Sequence, residues 1–268
     1  MKTHSTGIYG IPFADYQAIK AINKSGLDKI AKSPAHYQHS LLNPEEPTDA
    51  MILGQATHSA VFEPENFFAG YFARPEGIDG RTKEGKAALA ELGAKHAGKT
   101  MLKADEWASI EGMMKSVRNN SLVSRMISGG KAEQSAVAQD AEHGVLCKAR
   151  PDYMGTDGVL YDLKTTADVD FFKFQRSVRG FRYHVQAAWY LDTVNAAIGS
   201  KVFTRFVLLA IEKEAPYGLI AYELDAEAIR LGRLEARANL ATYAKCFHAN
   251  QWPGYPEQLL TMTVPVYE

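Results

Sequence analysis

Lys148–Thr166, KARPDYMGTDGVLYDLKTT, sets Asp152, Asp162 and Lys164 into two otherwise largely apolar runs. Both runs are rich in β-formers, and GTDG between them (155–158) is turn chemistry, so the stretch reads as a hairpin. A turn centred on Thr156 puts Asp152 opposite Leu160. A turn centred on Asp157 puts it opposite Asp162. Directly opposed side chains have β-carbons about 4.5–5.5 Å apart, a spacing that suits two carboxylates sharing a divalent ion. Alternation along the second strand gives Asp162 and Lys164 one face and turns Leu163 the other way, into the core. Opposed like charges destabilise a strand pair, and a bound cation reverses the sign of that effect. Charges at a hairpin end are also a common solvated feature. What else the chain carries decides between the two.

Upstream, residues 13–42 read as one or two short helices broken near Ser33-Pro34, with Leu27, Ile30, Ala31, Tyr37 and Leu41 as an apolar face. NPEEPTD (43–49) is a loop. AMILGQATHSAVFEPENF then gives a helix with Leu53, Ala56, Ala60 and Val61 toward the core, closed by Pro64. Residues 70–82, with three glycines, a proline and two arginines, read as an exposed loop. Helices follow at about 83–97, 103–118 and 120–127, the first with Thr82 as a natural N-cap. Trp107, Met113 and Met114 fit core packing. After SGGK (128–131), AEQSAVAQ and GVLCKARPDY are β-rich, and helical runs lie at about 168–179 and 182–198. FTRFVLLAIE and YGLIAYEL are strands, and a long helix spans about 225–248. The order predicts one α/β domain over 1–268: a mainly helical portion, about 1–128, and a sheet-containing core, about 129–250.

Composition narrows the function classes. With 268 residues, 46% apolar and 23% charged, the chain has the balance of a soluble globular protein. A net charge of −1 gives no bulk attraction to nucleic acid, so any DNA contact must be local. Two cysteines, Cys147 and Cys246, exclude a disulfide framework and a four-cysteine metal site within one chain. No secretory signal pattern and no apolar run of about 18 residues is present, so a cytoplasmic protein without a membrane span is expected.

RPDY with LYDLKTT resembles the paired motif of the PD-(D/E)xK nuclease superfamily. GQATHSAVFEPENF resembles the histidine-bearing helix of its RecB-like branch, and YHVQAAWYLD that branch's glutamine–three residues–tyrosine helix. The ordered set, covering about residues 25–200, is similar to RecE-type (exodeoxyribonuclease VIII) nuclease domains. The resemblance implies a restriction-endonuclease-like core, a central mixed sheet flanked by helices. It implies His58, Asp152 and Asp162 as metal ligands with the Leu163 carbonyl, and Lys164 as the group that orients the attacking water. Glu133 would act through a second ion or a bound water, and Gln186 and Tyr190 beside the site. Oxygen-rich ligands suit Mg²⁺, with Mn²⁺ as a substitute.

Further implications are double-stranded DNA ends as substrate, 5′→3′ digestion leaving 3′ tails, and a RecT-type annealing partner. A ring-shaped homo-oligomer (tetramer or trimer) and a phage or prophage origin in a bacterial host also belong to the resemblance. From the residues themselves, Lys173, Arg176, Arg179 and Arg182 recur every third position and could grip phosphates if one helix ran through them, although Gly180 interrupts it. Arg74, Arg81 and Lys83 form a second basic group. Two alternatives stand beside this reading. One is a RecB-like or CRISPR-adaptation-type nuclease, whose usual four-cysteine cluster two cysteines cannot supply; the other is an inactive DNA-binding module.

Overall fold

From β1 (Gly7–Tyr9) the chain passes through α1 (Phe13–Ala18), α2 (Lys24–Lys32), α3 (Pro34–Leu42), α4 (Asp49–Phe62) and α5 (Pro64–Gly70). β2 (Tyr71–Ala73), α6 (Lys83–Lys95), β3 (Thr100–Leu102), α7 (Ala104–Asn119) and α8 (Ser121–Met126) follow. The core half comprises β4 (Lys131–Ala132), β5 (Ser135–Gln139), β6 (Leu146–Ala149), β7 (Tyr153–Met154) and β8 (Val159–Thr166). Next come α9 (Phe171–Gly180), α10 (Tyr183–Ile198), β9 (Arg205–Glu212), β10 (Leu219–Glu223) and α11 (Ala226–Ala249). This computed structural model describes residues 5–263, so the outermost residues of the expected 1–268 span lie outside it. Local chemistry sets the helix starts: Asn23, Ser33, Thr48, Thr82, Asp170 and Asp225 each accept a first-turn N–H, and Pro34 and Pro64 open α3 and α5. No described helix is long and apolar enough to cross a membrane.

The central sheet runs β10-β9-β8-β7-β4, with β8 and β9 parallel and the other neighbours antiparallel. β8 and β9 are buried on both faces, and alternation divides their side chains between two apolar cores. Leu160, Phe206, Leu208 and Ala210 pack with α2, α10 and α11. Val159, Tyr161, Leu163, Val207, Leu209 and Ile211 pack with α4 and α7. The result is a sheet between two helical layers. α11 presses close on α10 because residue 232 is glycine; a β-carbon there would lie 2.0 Å from the His184 carbonyl oxygen.

Asp157 fixes the hairpin. Its carboxylate accepts the Val159 N–H and, at 2.7 Å, the Tyr161 hydroxyl, while Gly158 takes φ 75°. Tyr153 pairs with Tyr161 and Met154 with Leu160, which is the register centred on Asp157. That register carries Asp152 toward Asp162.

Several sequence expectations need correction. The run GVLCKARPDY is two strands: β6 pairs with β5 in a separate sheet ordered β1-β5-β6, and β7 joins the central one. Pro151 has no N–H to continue a ladder, and Glu133, across from Asp152, takes a left-handed φ of 50° between β4 and β5. The described part of the first 128 residues holds three short strands. β1 pairs with β5, and Tyr71–Ala73, expected as loop, pairs in parallel with β3. The helical stretch 13–42 is three helices. Ala31, near the end of α2, is exposed, and the restart at Pro34 shifts the periodicity of α3 so that Leu41 is exposed too.

Candidate active site

β7 is only two residues long, so the edge of β8 is open at Leu163. The Asp152 carboxylate fills the place of the missing strand, its Oδ2 accepting the Leu163 N–H at 2.7 Å. In an extended strand the carbonyl lies on the same edge as its own N–H, so the Leu163 oxygen faces this side too. α4 brings His58 to the same edge, with Nδ1 3.1 Å from Asp152 Oδ2. Phe62, one turn further on, stacks on Tyr153 of β7 with centroids 5.7 Å apart and ties α4 to the strand. The Glu133 N–H donates to the Asp152 carbonyl at 2.9 Å, and the turn at Glu133 aims its carboxylate inward, where Arg150 Nε donates to it at 2.8 Å. The donor atoms of His58, Glu133 and Asp152 all lie within 4.8 Å of one another.

Asp162 lies on the other face of β8, fully buried. Its Oδ2 accepts from Gln186 Nε2 at 2.6 Å, and its Oδ1 meets the Lys164 ammonium. That ammonium also sits 4.6 Å above the centre of the Tyr183 ring. Tyr190, one helical turn beyond Gln186, is within hydrogen-bond reach of it and lines the cleft. The cleft holds about 1710 Å³ and is lined by His58, Glu133, Asp152 and Tyr190, with Lys148 and Arg150.

The charges are crowded. Burial and the Asp152 charge push the Asp162 carboxyl up. Burial and the same charge push Glu133 up, against the Arg150 guanidinium. Burial alone would raise Asp152, but His58, Lys164 and the Leu163 N–H hold it below the usual carboxylate range. Burial likewise opposes the His58 imidazolium, yet Asp152 and then Asp162 lift it to about 9. Lys164 is held above its ordinary value by Asp162 and Asp152 despite burial. Once His58 sheds its proton, one imidazole nitrogen and the neighbouring carboxylate oxygens fit a divalent cation.

The structure thus brings His58, Asp152, Asp162, Lys164, Gln186 and Tyr190 into one region. It adds Glu133 to the His58–Asp152 group, whereas both Asp162 oxygens engage Lys164 and Gln186. The basic residues are dispersed. Arg182 caps α10 and pairs with Asp28 at 2.7 Å and Glu235 at 3.1 Å, so it leaves the expected stripe, which ends with α9 at Gly180. Lys173 pairs with Asp168, Arg81 with Asp79 at 3.0 Å, and Arg74 with the Ile78 carbonyl. Lys83 is exposed at the start of α6, and Arg176 and Arg179 are exposed on α9. Sequence reading missed Arg150 and Tyr183. Arg150 was open to notice, standing two residues before Asp152 in the decisive stretch.

A sheet between helical layers, with two aspartates and a lysine meeting at one strand edge, defines a PD-(D/E)xK-type domain. The chain belongs to the family described as PDDEXK-like domain of unknown function (DUF3799), which matches residues 23–262. No curated protein matches it. Among solved structures it is similar to a candidate exonuclease from Eubacterium rectale, at 14% identity and a TM-score of 0.57, covering 96% of this chain and 97% of that one. An alkaline exonuclease from Laribacter hongkongensis matches at 14% identity and a TM-score of 0.30, over 73% of this chain and 96% of that one. A phage-related exonuclease from Haemophilus somnus matches at 10% identity and a TM-score of 0.35, over 73% and 95%. At these identities the first likeness is one of fold.

Proposed function

We propose that this protein is a divalent-metal-dependent exodeoxyribonuclease acting on the ends of linear duplex DNA. The observation that carries the reading is one cleft edge where His58, Glu133 and Asp152 converge beside the Asp162–Lys164 pair. His58, Asp152 and Glu133 would hold a Mg²⁺ ion, with Asp162 beside them and the Leu163 carbonyl facing the same edge, and the ion would supply Lewis acidity at phosphorus and lower the pKa of the attacking water. The chain's own groups do the rest. The Lys164 ammonium, fixed by Asp162 and the Tyr183 ring, donates to the water and to a non-bridging phosphate oxygen as charge builds there. Gln186 locks the Asp162 carboxylate, and Arg150 steadies Glu133. The water oxygen bonds to phosphorus and gives up a proton to solvent, while the phosphorus–3′ oxygen bond breaks and the leaving oxygen takes up a proton in exchange.

The finer reading follows the resemblance. Digestion runs 5′→3′ and leaves 3′ tails for a RecT-type annealing protein. The working form is a ring of identical chains in the cytoplasm of a bacterial host, with Mg²⁺ replaceable by Mn²⁺. Linear duplexes labelled at either end, digested with Mg²⁺ or EDTA by wild type and Asp162→Ala, test it. Mg²⁺-dependent release of the 5′ label first is expected, and lost in the variant. DNA binding with no label released would leave a binding module; first release from the 3′ end would reject the polarity. A strict monomer by light scattering would reject the ring.

A further inference from the structure

α9 buries Phe174 against Tyr222, ring centroids 5.3 Å apart, and turns its other side to solvent. That side is neither an ordinary polar face nor an ordinary apolar one. Phe171 is 54% exposed, Phe172 69%, and Phe181, just past the helix end, 63%. Phe172, Arg176 and Arg179 stand at i, i+4 and i+7 and so share one stripe. Lys173 is matched by Asp168 and Arg182 by Asp28 and Glu235, but neither Arg176 nor Arg179 has an acidic partner among the described residues. The stripe therefore pairs the exposed Phe172 ring, with Phe171 beside it, with two guanidinium groups that have no acidic partner among the described residues.

The patch is joined to the active site. Phe181 stacks on Tyr183 at 5.6 Å, and the Tyr183 ring lies under the Lys164 ammonium at 4.6 Å. Lys24 donates to the Phe181 carbonyl at 2.8 Å and holds this end of the path in place. Aromatic faces next to free cations recognise unpaired nucleotides: bases stack on the rings and phosphates meet the guanidinium groups. A duplex hides its base faces within its own stack, so it could use the arginines and not the phenylalanines.

We propose that the outer face of α9 is a binding platform for single-stranded DNA, taking the strand that parts from the duplex beside Lys164. The choice of DNA as occupant rests on the nuclease reading. Stacking on Phe172 and Phe171 holds the bases, and Arg176 and Arg179 hold the backbone, with little dependence on sequence.

The test is fluorescence anisotropy in EDTA, where nothing is cut, with a labelled oligothymidylate of about 12 nucleotides, within the usual site size for such platforms. An abasic strand of equal length and a blunt duplex serve as further probes. Phe172→Ala should weaken oligothymidylate binding roughly tenfold, the loss of one stacked base. It should leave abasic and duplex binding within about twofold of wild type. Phe172→Trp should keep the affinity and Phe172→Leu lose it, which separates a π-face from a merely apolar one. Arg176→Gln with Arg179→Gln should weaken all three probes and flatten the salt dependence. Oligothymidylate affinity indifferent to Phe172→Ala would overturn the proposal, as would Phe172→Leu binding like wild type. Loss of self-association in Phe172→Ala with DNA binding intact would also overturn it, assigning the face to a second copy of the chain. A chain that grips the oligonucleotide through Phe172 and cuts nothing would remove the nuclease reading alone. One that cuts duplex while Phe172→Ala changes nothing would remove this platform alone.

Discussion

Lys164–Asp162 and Lys173–Asp168 are the same chemical pair on either side of one short loop, and they behave as opposites. In the first, the lysine side chain is 16% exposed and the aspartate 1%; in the second, the values are 63% and 36%. The outer pair sits in water, where attraction is screened and the side chains lose freedom by meeting. The inner pair has no water to fall back on, so each charge needs the other and the Asp152 and His58 charges around them. Residue type alone does not set Lys164 apart from Lys173. A sheet that runs out of one neighbouring strand, and so leaves backbone and carboxylates facing one another, does.

Asp162→Ala should separate the two pairs most widely. It strands the Lys164 ammonium in a buried site and should lower stability by about 3–5 kcal/mol, read by urea unfolding. Cleavage of labelled duplex should fall by roughly a thousandfold, the scale of losing a preorganised charged group. Near-normal cleavage would reject Asp162 as part of the machinery. Metal addition is the next effect in size. At a hundredfold excess over its dissociation constant, Mg²⁺ or Mn²⁺ should stabilise wild type by about 2.7 kcal/mol, seen as a rise in Tm over the EDTA sample. Asp152→Asn should abolish that rise. An equal rise in the variant would move the metal elsewhere.

Acidity gives a third, smaller contrast. His58 is held at about 9 in the fold, above its ordinary value near 6.5, so its charged form stabilises the metal-free protein. That contribution is full below about pH 6.5 and is lost as pH rises through about 9. The urea midpoint in EDTA should decline across this window, and His58→Gln should flatten the decline. A midpoint that climbs there would contradict the imidazolium–carboxylate contact. Metal affinity should move the opposite way, since His58 must shed its proton to act as a ligand. The smallest expected effect is at the outer pair. Lys173→Ala should leave the urea midpoint where it is, and a clear shift would put Lys173 in a structural role its exposure does not suggest.

Much of the core was legible because it is local. GTDG encodes a turn, alternation places Leu163 opposite in sense to Asp162 and Lys164, and Gln186 and Tyr190 share a helix face by spacing alone. What sequence could not settle was which of two registers the hairpin adopts, since Tyr161 must first reach Asp157 to select one. Glu133 joins His58 and Asp152 through a left-handed residue between two short strands, and nothing in AEQSAVAQ announces that conformation. The fate of Arg182 depends on Asp28 and Glu235, far away on other helices, so no window around residue 182 contains it. β1 has too few residues to be recognised without its partner β5.

Lys148 carries a consequence in time. Its buried ammonium donates to the carbonyls of Tyr16, Gln17 and Ile19 at 2.9, 3.1 and 2.8 Å, closing chain loops of 129 to 132 residues. Contacts of such sequence separation form only after the intervening chain has condensed, so the α1 wall of the cleft closes late in folding. Local opening should run in the reverse order. In hydrogen exchange the amides of residues 16–22 should therefore give way before those of β8 and β9, and the cleft should lose its roof while the sheet beneath it still stands.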